Sequence, residues 1–392
     1  MSGKAREVAD ADALPCVRWV ESGETLTARW RSEAGAVPPR RIEVVDDAVN
    51  ADAAYRLACE GTALLWRGDF QNARQLLQAI ARRIDKRSGR GQKAPASLTE
   101  AFHRKRMAQA QRARTLGMLL LPFNADHTIP LRRAPDARAA CSEVYGAADG
   151  PYLASLRELL GLIGAHEWRK KGVAIEEVGG AIFPHYGVFS PVRGEYVALV
   201  ARAPLPKALA GNSVAFDIGT GTGVLAAVLA RRGVGKIIAT DQDRRALACA
   251  RENIARLGFA AQVELLEADL FPPGSAPLIV CNPPWVPGKP SSALEYAVYD
   301  PDSRMLRGFL GGLAAHLDPA GEGWLILSDL AEHLGLRSRD ELMAMFEKAG
   351  LAVAGREDVR PQHRKTADVD DPLHLARAAE VTSLWRLVHK AG

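Results

Sequence analysis

From about Gly211 onward, short apolar runs alternate with longer stretches whose apolar positions recur every three to four residues. "SVAFDIG", "KIIATD", "QVELLEAD", "PLIVCN", "EGWLILSDL", "LAVAGRED" and "SLWRLVHK" are the short runs, rich in Val, Ile, Leu and aromatics, and they predict strands. Between them, "GVLAAVLARRG", "DRRALACARENIARLG", "SRMLRGFLGGLAAHL" and "RDELMAMFEKAG" carry helical spacing. Strands alternating with helices in this way predict an α/β fold with a mostly parallel sheet. In such sheets ligands bind beyond the carboxyl ends of the strands, so the chemistry should lie in the residues that follow each run.

The front of the chain has a different texture. From Asp52 to Ile84 the apolar positions are helical, with Tyr55, Ala58 and Cys59, then Leu64, Leu65 and Trp66, then Leu76, Leu77 and Ile80. "DKRSGRGQKAPAS" breaks the pattern as a loop, and a second helical run extends from Leu98 to about Leu119. "IPLRRAPDARAACSEVYG" reads either as a short hairpin or as an irregular excursion, and "PYLASLRELLGLIGAHEWRKKG" is again helix-like. A Gly-, Pro- and aromatic-rich connector follows, "VAIEEVGGAIFPHYGVFSPVRGEYVALVARAPLP". The organisation expected is a mainly helical N-terminal region over 1–150, a connector and lid segment over 151–205, and an α/β domain over 206–392.

Composition adds limits. The 392 residues are 47% apolar and 25% charged, which is globular, and the formal net charge of +5 permits an anionic partner without requiring one. Cys16, Cys59, Cys141, Cys249 and Cys281 are scattered and form no C-x-x-C pair, which suits a reducing compartment and offers no zinc cluster. "HEWRKKG" holds one His without a second ligand at metal spacing, so no metal site is expected. "MSGKAREVADADALP" lacks the apolar core of a signal peptide, and no apolar run is long enough to span a bilayer, so the expected address is the cytoplasm, away from membranes. From Arg67 to Arg114 there are thirteen Arg or Lys against Asp69, Asp85 and Glu100. That excess is either a phosphate-facing surface for nucleic acid or a solvated helix face.

The strand ends carry the candidate chemistry. After the first, "FDIGTGTGVLA" places Gly219, Gly221 and Gly223 at alternate positions, which allows a tight turn and leaves room for a ligand against the backbone. No Gly-Lys-Ser/Thr follows, so an ATPase phosphate loop is not expected. Asp217 reads as a site residue on the approach to the turn, with a local backbone acceptor as the plainer reading. Asp241 ends the second strand, 24 residues later, where a carboxylate can accept both ribose hydroxyls of an adenosine-containing cofactor. Asp243 is expected to cap the next helix. Asp269 can accept from an adenine amine, with Leu270 and Phe271 as cover for the ring. Both NAD and S-adenosylmethionine satisfy these positions.

The fourth run ends in "CNPPW". An Asn side-chain oxygen and a backbone carbonyl can accept the two hydrogens of a planar amine, turning its lone pair toward an electrophilic methyl. Proline stiffens the backbone that presents the carbonyl, and an aromatic fixes the plane of the flat group. Asn282, Pro283 and Trp285 are therefore the candidate catalytic group. An NAD-dependent oxidoreductase would leave this tetrad without a role.

Together "FDIGTGTG", "IIATDQD", "EADLF" and "CNPPW" resemble the motifs of class I S-adenosylmethionine-dependent methyltransferases of the small-domain, amino-methylating group, over roughly Gly187 to the C-terminus. The resemblance implies a Rossmann-like seven-stranded sheet and S-adenosylmethionine as cofactor. It assigns Gly219, Gly221 and Gly223 to the methionine end, Asp241 to the ribose and Asp269 to the adenine, with Asn282 and Pro283 gripping the target amine. The fourth tetrad position is more often Tyr or Phe in that group, so Trp285 implies an altered pocket. Phe189 and Pro191, with Arg193 and Glu195, resemble a lid segment. The expected acceptor is a nucleobase amine in RNA, with a protein glutamine as the alternative and a small-molecule amine less favoured.

Overall fold

The computed structural model describes residues 15–88, 94–191, 194–290, 293–361 and 371–391. Two compact units emerge, one from Met1–Lys93 with Met107–His166, the other from Ala94–Arg106 with Glu167–Gly392. This grouping differs from boundaries at 150 and 205. A thirteen-residue piece from the front of the chain joins the C-terminal unit.

The first unit has a six-stranded sheet of Cys16–Glu21 (β1), Glu24–Trp30 (β2), Arg41–Val45 (β3), Thr62–Trp66 (β4), Leu119–Phe123 (β5) and Tyr152–Ser155 (β6), ordered β1-β2-β6-β5-β4-β3. Its helices are Ala51–Cys59 (α1), Phe70–Ser88 (α2), the later part of Leu98–Gly117 (α3), Arg138–Tyr145 (α4) and most of Leu156–Lys171 (α5). The expected helices are there, but strands interrupt them. β4 falls inside the run from Asp52 to Ile84, because Gly61 takes φ +81 and ends α1. "TALLW" and "LLLPF" are buried at every position, so they lack the alternation that marks a strand. The undecided segment is irregular up to α4.

In the second unit, Val173–Ile175 (β7) and Gly180–Ile182 (β8) form a small hairpin, followed by helix Glu195–Arg202 (α6). The main sheet comprises Val214–Ile218 (β9), Lys236–Asp241 (β10), Val263–Glu267 (β11), Ala276–Cys281 (β12), Leu317–Ser328 (β13), Leu351–Val359 (β14) and Thr382–His389 (β15). Its order is β11-β10-β9-β12-β13-β15-β14, with β15 antiparallel to both neighbours and the other pairings parallel. This is the expected seven-stranded Rossmann-like sheet. Helices Val224–Arg231 (α7), Arg244–Arg256 (α8), Arg304–His316 (α9), Leu330–His333 (α10), Arg339–Lys348 (α11) and His374–Ala379 (α12) complete it.

Sequence explains each layer. Every residue of α7 from Val224 to Ala230 is buried, and three alanines keep that helix slim. α8 buries Ala246, Leu247, Cys249, Ala250, Asn253 and Ile254, one helical stripe, and Asp243 caps it by accepting the Arg245 N–H at 2.8 Å. β12 is buried throughout. The chain winds from β9 out to β11 and then returns to place β12 on the other side of β9. The reversal opens a crevice at the carboxyl ends of β9 and β12, where the Gly-rich turn and the Asn-Pro-Pro-Trp tetrad follow. Among the described residues no helix is long and apolar enough to cross a membrane.

β13 meets α9 closely at Gly323, where an added Cβ would collide with the buried Leu313 side chain. Gly323→Ala should therefore lower unfolding stability by about 1–3 kcal/mol in urea titrations. An unchanged midpoint and slope would show that this contact yields without cost.

Candidate active site

The turn after β9 is held from two sides. Gly219 and Thr220 donate their backbone N–H groups to the Thr240 carbonyl at the end of β10, at 2.9 and 2.8 Å. Below the turn, the buried Asp217 Oδ2 accepts the Thr220 hydroxyl at 2.6 Å and the Ala226 N–H at 3.1 Å, tying the turn to the first turn of α7. Beside it, Asp241 Oδ2 accepts the Gly221 N–H at 3.0 Å while Oδ1 accepts that of Asp243 at 2.9 Å. Asn253, fully buried, donates to the Thr222 carbonyl at 3.1 Å and accepts the Phe183 N–H at 2.8 Å.

A cavity of about 230 Å³ opens over this turn, and its wall includes Phe189, Gly219, Gly221, Asp241, Leu270 and Asn282. Asp269 also reaches the wall and pairs with Arg304 at 2.7 Å. A second, more apolar cavity of about 160 Å³ lies against the first, and the two share Phe189, Asn282 and Ala297. Phe102, Trp285, Val286, Tyr299, Leu334 and Leu373 give it its apolar walls, with Arg377 and Glu380 among the polar ones. Trp285 donates its indole N–H to Asn282 Oδ1 at 2.8 Å.

Residues 180–351 match the family model described as the methyltransferase small domain. The chain is 35% identical over 150 residues to the release factor glutamine methyltransferase of Cereibacter sphaeroides, covering 35% of this chain and 51% of that protein. It is 32% identical over 176 residues to the release factor glutamine methyltransferase of Caulobacter vibrioides, covering 43% and 61% respectively. With the ribosomal protein L11 methyltransferase of Pelotomaculum thermopropionicum it shares 32% over 157 residues, or 39% of this chain and 43% of that one. The second unit carries a class I S-adenosylmethionine-dependent methyltransferase domain. The chain thus spans between about two fifths and three fifths of these relatives' length.

The methyltransferase domain places the expected residues unequally. Gly219, Gly221, Asp241, Asp269, Leu270 and Asn282 line the first cavity, and Trp285 lines the second. Asp217 works beneath the turn instead of in the wall, and the buried Pro283 lines neither cavity. Gly223 is turned onto α8, where an added Cβ would stand 3.2 Å from Ala250 Cα. Phe271 stacks on His316 at 4.6 Å between centroids, away from the cavity that Leu270 lines. Of the lid candidates, Phe189 borders both cavities and Glu195 begins α6, whereas Arg193 lies outside the described residues.

Several wall residues carried no motif in the sequence. Met305 and Arg304 open α9, whose first N–H groups at Met305 and Leu306 are accepted by the buried Asp300 at 3.0 and 3.1 Å. Phe102 comes from the early part of α3, anchored in the methyltransferase domain by Thr99, whose hydroxyl donates to the Leu334 carbonyl at 2.7 Å, and by Arg106, which forms a two-pronged pair with Glu295 at 2.9 Å and lies 3.9 Å over the Tyr299 ring.

A bound adenosine cofactor fits this wall. Gly221 has φ +56, and nothing stands within 4 Å of where its Cβ would be, so the cradle is open on that side. Asp241 spends one lone pair of each oxygen on backbone donors and retains others for ligand hydroxyls.

Burial raises the Asp217 carboxyl to about 6, against the pull of its Thr220 and Ala226 donors. The folded group therefore holds its proton more tightly than the unfolded one. Its burial costs stability above about pH 6, and that cost is relieved as the pH falls toward about 4. Between pH 7.5 and 4.5, the wild type should gain roughly 2 kcal/mol relative to Asp217→Asn in urea titrations. A difference that stays constant with pH would contradict a buried carboxylate titrating under the turn.

Proposed function

We propose that this chain methylates the side-chain amide nitrogen of a glutamine in a protein substrate, using S-adenosylmethionine. The observation that carries the reading is the position of Asn282, in the wall shared by the two cavities. One cavity has the acids and open glycine suited to an adenosine cofactor, and the other is a largely apolar recess for the acceptor. The cofactor, when bound, supplies an electrophilic methyl group on a sulfonium sulfur.

The chain's own residues bind and orient. Asn282 Oδ1 accepts one hydrogen of the acceptor amide and a backbone carbonyl of the Asn-Pro-Pro turn the other, so that the nitrogen lone pair is turned away from both. Proline at 283 and 284 restricts the backbone that carries the carbonyl. Asp241 takes ribose hydroxyls and Asp269 the adenine amine, with Leu270 against the ring. Phe189, common to both cavities, screens the reaction from water.

Two things favour a protein glutamine over an RNA base. The relatives from Cereibacter sphaeroides and Caulobacter vibrioides are release factor glutamine methyltransferases, and the third acts on a ribosomal protein by its name. Part of the basic excess between Arg67 and Arg114 is also neutralised. Arg67 pairs with Glu21, Arg83 with Asp52, Arg104 with Glu100, Lys105 with Asp371, Arg106 with Glu295 and Arg112 with Asp85. Cations already committed to carboxylates add little to phosphate binding.

Incubation with tritium-labelled S-adenosylmethionine and separated cell protein, RNA and metabolites tests the reading. Label should enter protein and leave as methylamine on acid hydrolysis, the product of an N-methylated amide. Asn282→Ala should slow that transfer about a hundredfold while S-adenosylhomocysteine affinity stays within about threefold. Label confined to RNA would overturn the protein assignment.

A further inference from the structure

We propose that Trp285 is a positioning residue for Asn282, holding its amide in the one orientation that presents oxygen to the acceptor. The inference rests on the N-methyltransferase reading of this site and gives a role to the tetrad's atypical fourth residue.

An Asn amide at the end of a strand has two orientations that differ by exchange of its oxygen and its NH₂ group. In one, the side chain accepts the hydrogens of a planar amine. In the other, it presents hydrogens to hydrogens, and the acceptor is repelled. An indole N–H is a donor and never an acceptor, so it tolerates only the first orientation. Trp285 Nε1 lies 2.8 Å from Asn282 Oδ1, within the range of a good hydrogen bond. The oxygen has two lone pairs, of which the indole uses one, and the second remains for the acceptor.

The indole is itself immobilised. Trp285 is half-buried and packs against the cluster of Phe102, Val286, Leu334 and Leu373 as well as against the sheet core. It lines the second cavity, whereas Asn282 lines both, so the constraint is applied from the acceptor side. A Phe at this position would fill much of the same space with no donor. The early part of α3 supplies Phe102 to the cluster against which the indole packs and to the wall of the same cavity.

Three arms test the proposal on the full-length protein. In a spectrum of protein labelled with ¹⁵N at the indole nitrogens, Trp285→Phe identifies the Trp285 resonance. Asn282→Ala should move that resonance upfield and speed its exchange with water at least tenfold, while Asn282→Asp, which still offers an acceptor, should leave it protected. In the tritium assay, on the fraction that the wild type labels, Trp285→Phe should lower kcat about tenfold, the order expected for one lost hydrogen bond. Its KM for S-adenosylmethionine should be unchanged. A resonance indifferent to Asn282→Ala, or a Trp285→Phe enzyme with full kcat, overturns the proposal. If no fraction takes label, the methyltransferase reading fails, and the indole resonance still decides whether Trp285 holds Asn282.

Discussion

The second unit depends on how two carboxylates hold one glycine turn. Asp217 grips it from below through Thr220 and Ala226, and Asp241 grips it from the side through Gly221. Backbone N–H groups in a tight turn must find acceptors, and a buried turn without them would be costly. Here the Thr240 carbonyl accepts the Gly219 and Thr220 N–H groups and Asp241 that of Gly221, while Asp217 ties the Thr220 hydroxyl to the first turn of α7, so the turn is fastened to the sheet's carboxyl edge. Raised pKa values at both acids, caused mainly by burial, are the consequence of this arrangement. The open cradle at Gly221 exists because the turn is fixed around it.

A second constraint acts at the other side of the crevice. β12 runs parallel to β9, with Cys281 opposite Ile218, so the tetrad leaves the sheet level with the glycine turn. This register brings Asn282 to the wall common to both cavities. The tetrad is then fixed by packing. Trp285 and its neighbour Val286 join a cluster with Phe102, Leu334 and Leu373, residues far apart in sequence. The acceptor side of the crevice is built from pieces that no local motif connects.

That contrast explains what was legible in the sequence. All seven strands of the main sheet could be read, because each is a β-rich run separated from the next by an amphipathic helix or by turn residues. Asp243 as a helix cap could be read as well, since the cap is a local event. "TALLW" and "LLLPF" could not, because five buried residues in a row carry no period. Asp217 stood out in the sequence, but its role did not, since a carboxylate before a glycine turn can serve ligand or backbone equally well. Nor does helical spacing from Leu98 reveal its partner, which the structure shows to be the methyltransferase domain for Ala94–Arg106. The basic stretch pointed toward RNA because the acids that pair with part of it, Glu21, Asp52, Glu295 and Asp371, lie elsewhere in the chain.

If the glycine turn and Asp241 form an adenosine cofactor site of the S-adenosylmethionine type, the full chain must distinguish that cofactor's product from a dinucleotide. Titration calorimetry with S-adenosylhomocysteine and, separately, with NADH makes the comparison. One-to-one binding of S-adenosylhomocysteine is expected, weakened at least tenfold by Asp241→Ala, with no heat from NADH. Tight NADH binding with no response to S-adenosylhomocysteine would contradict the assignment.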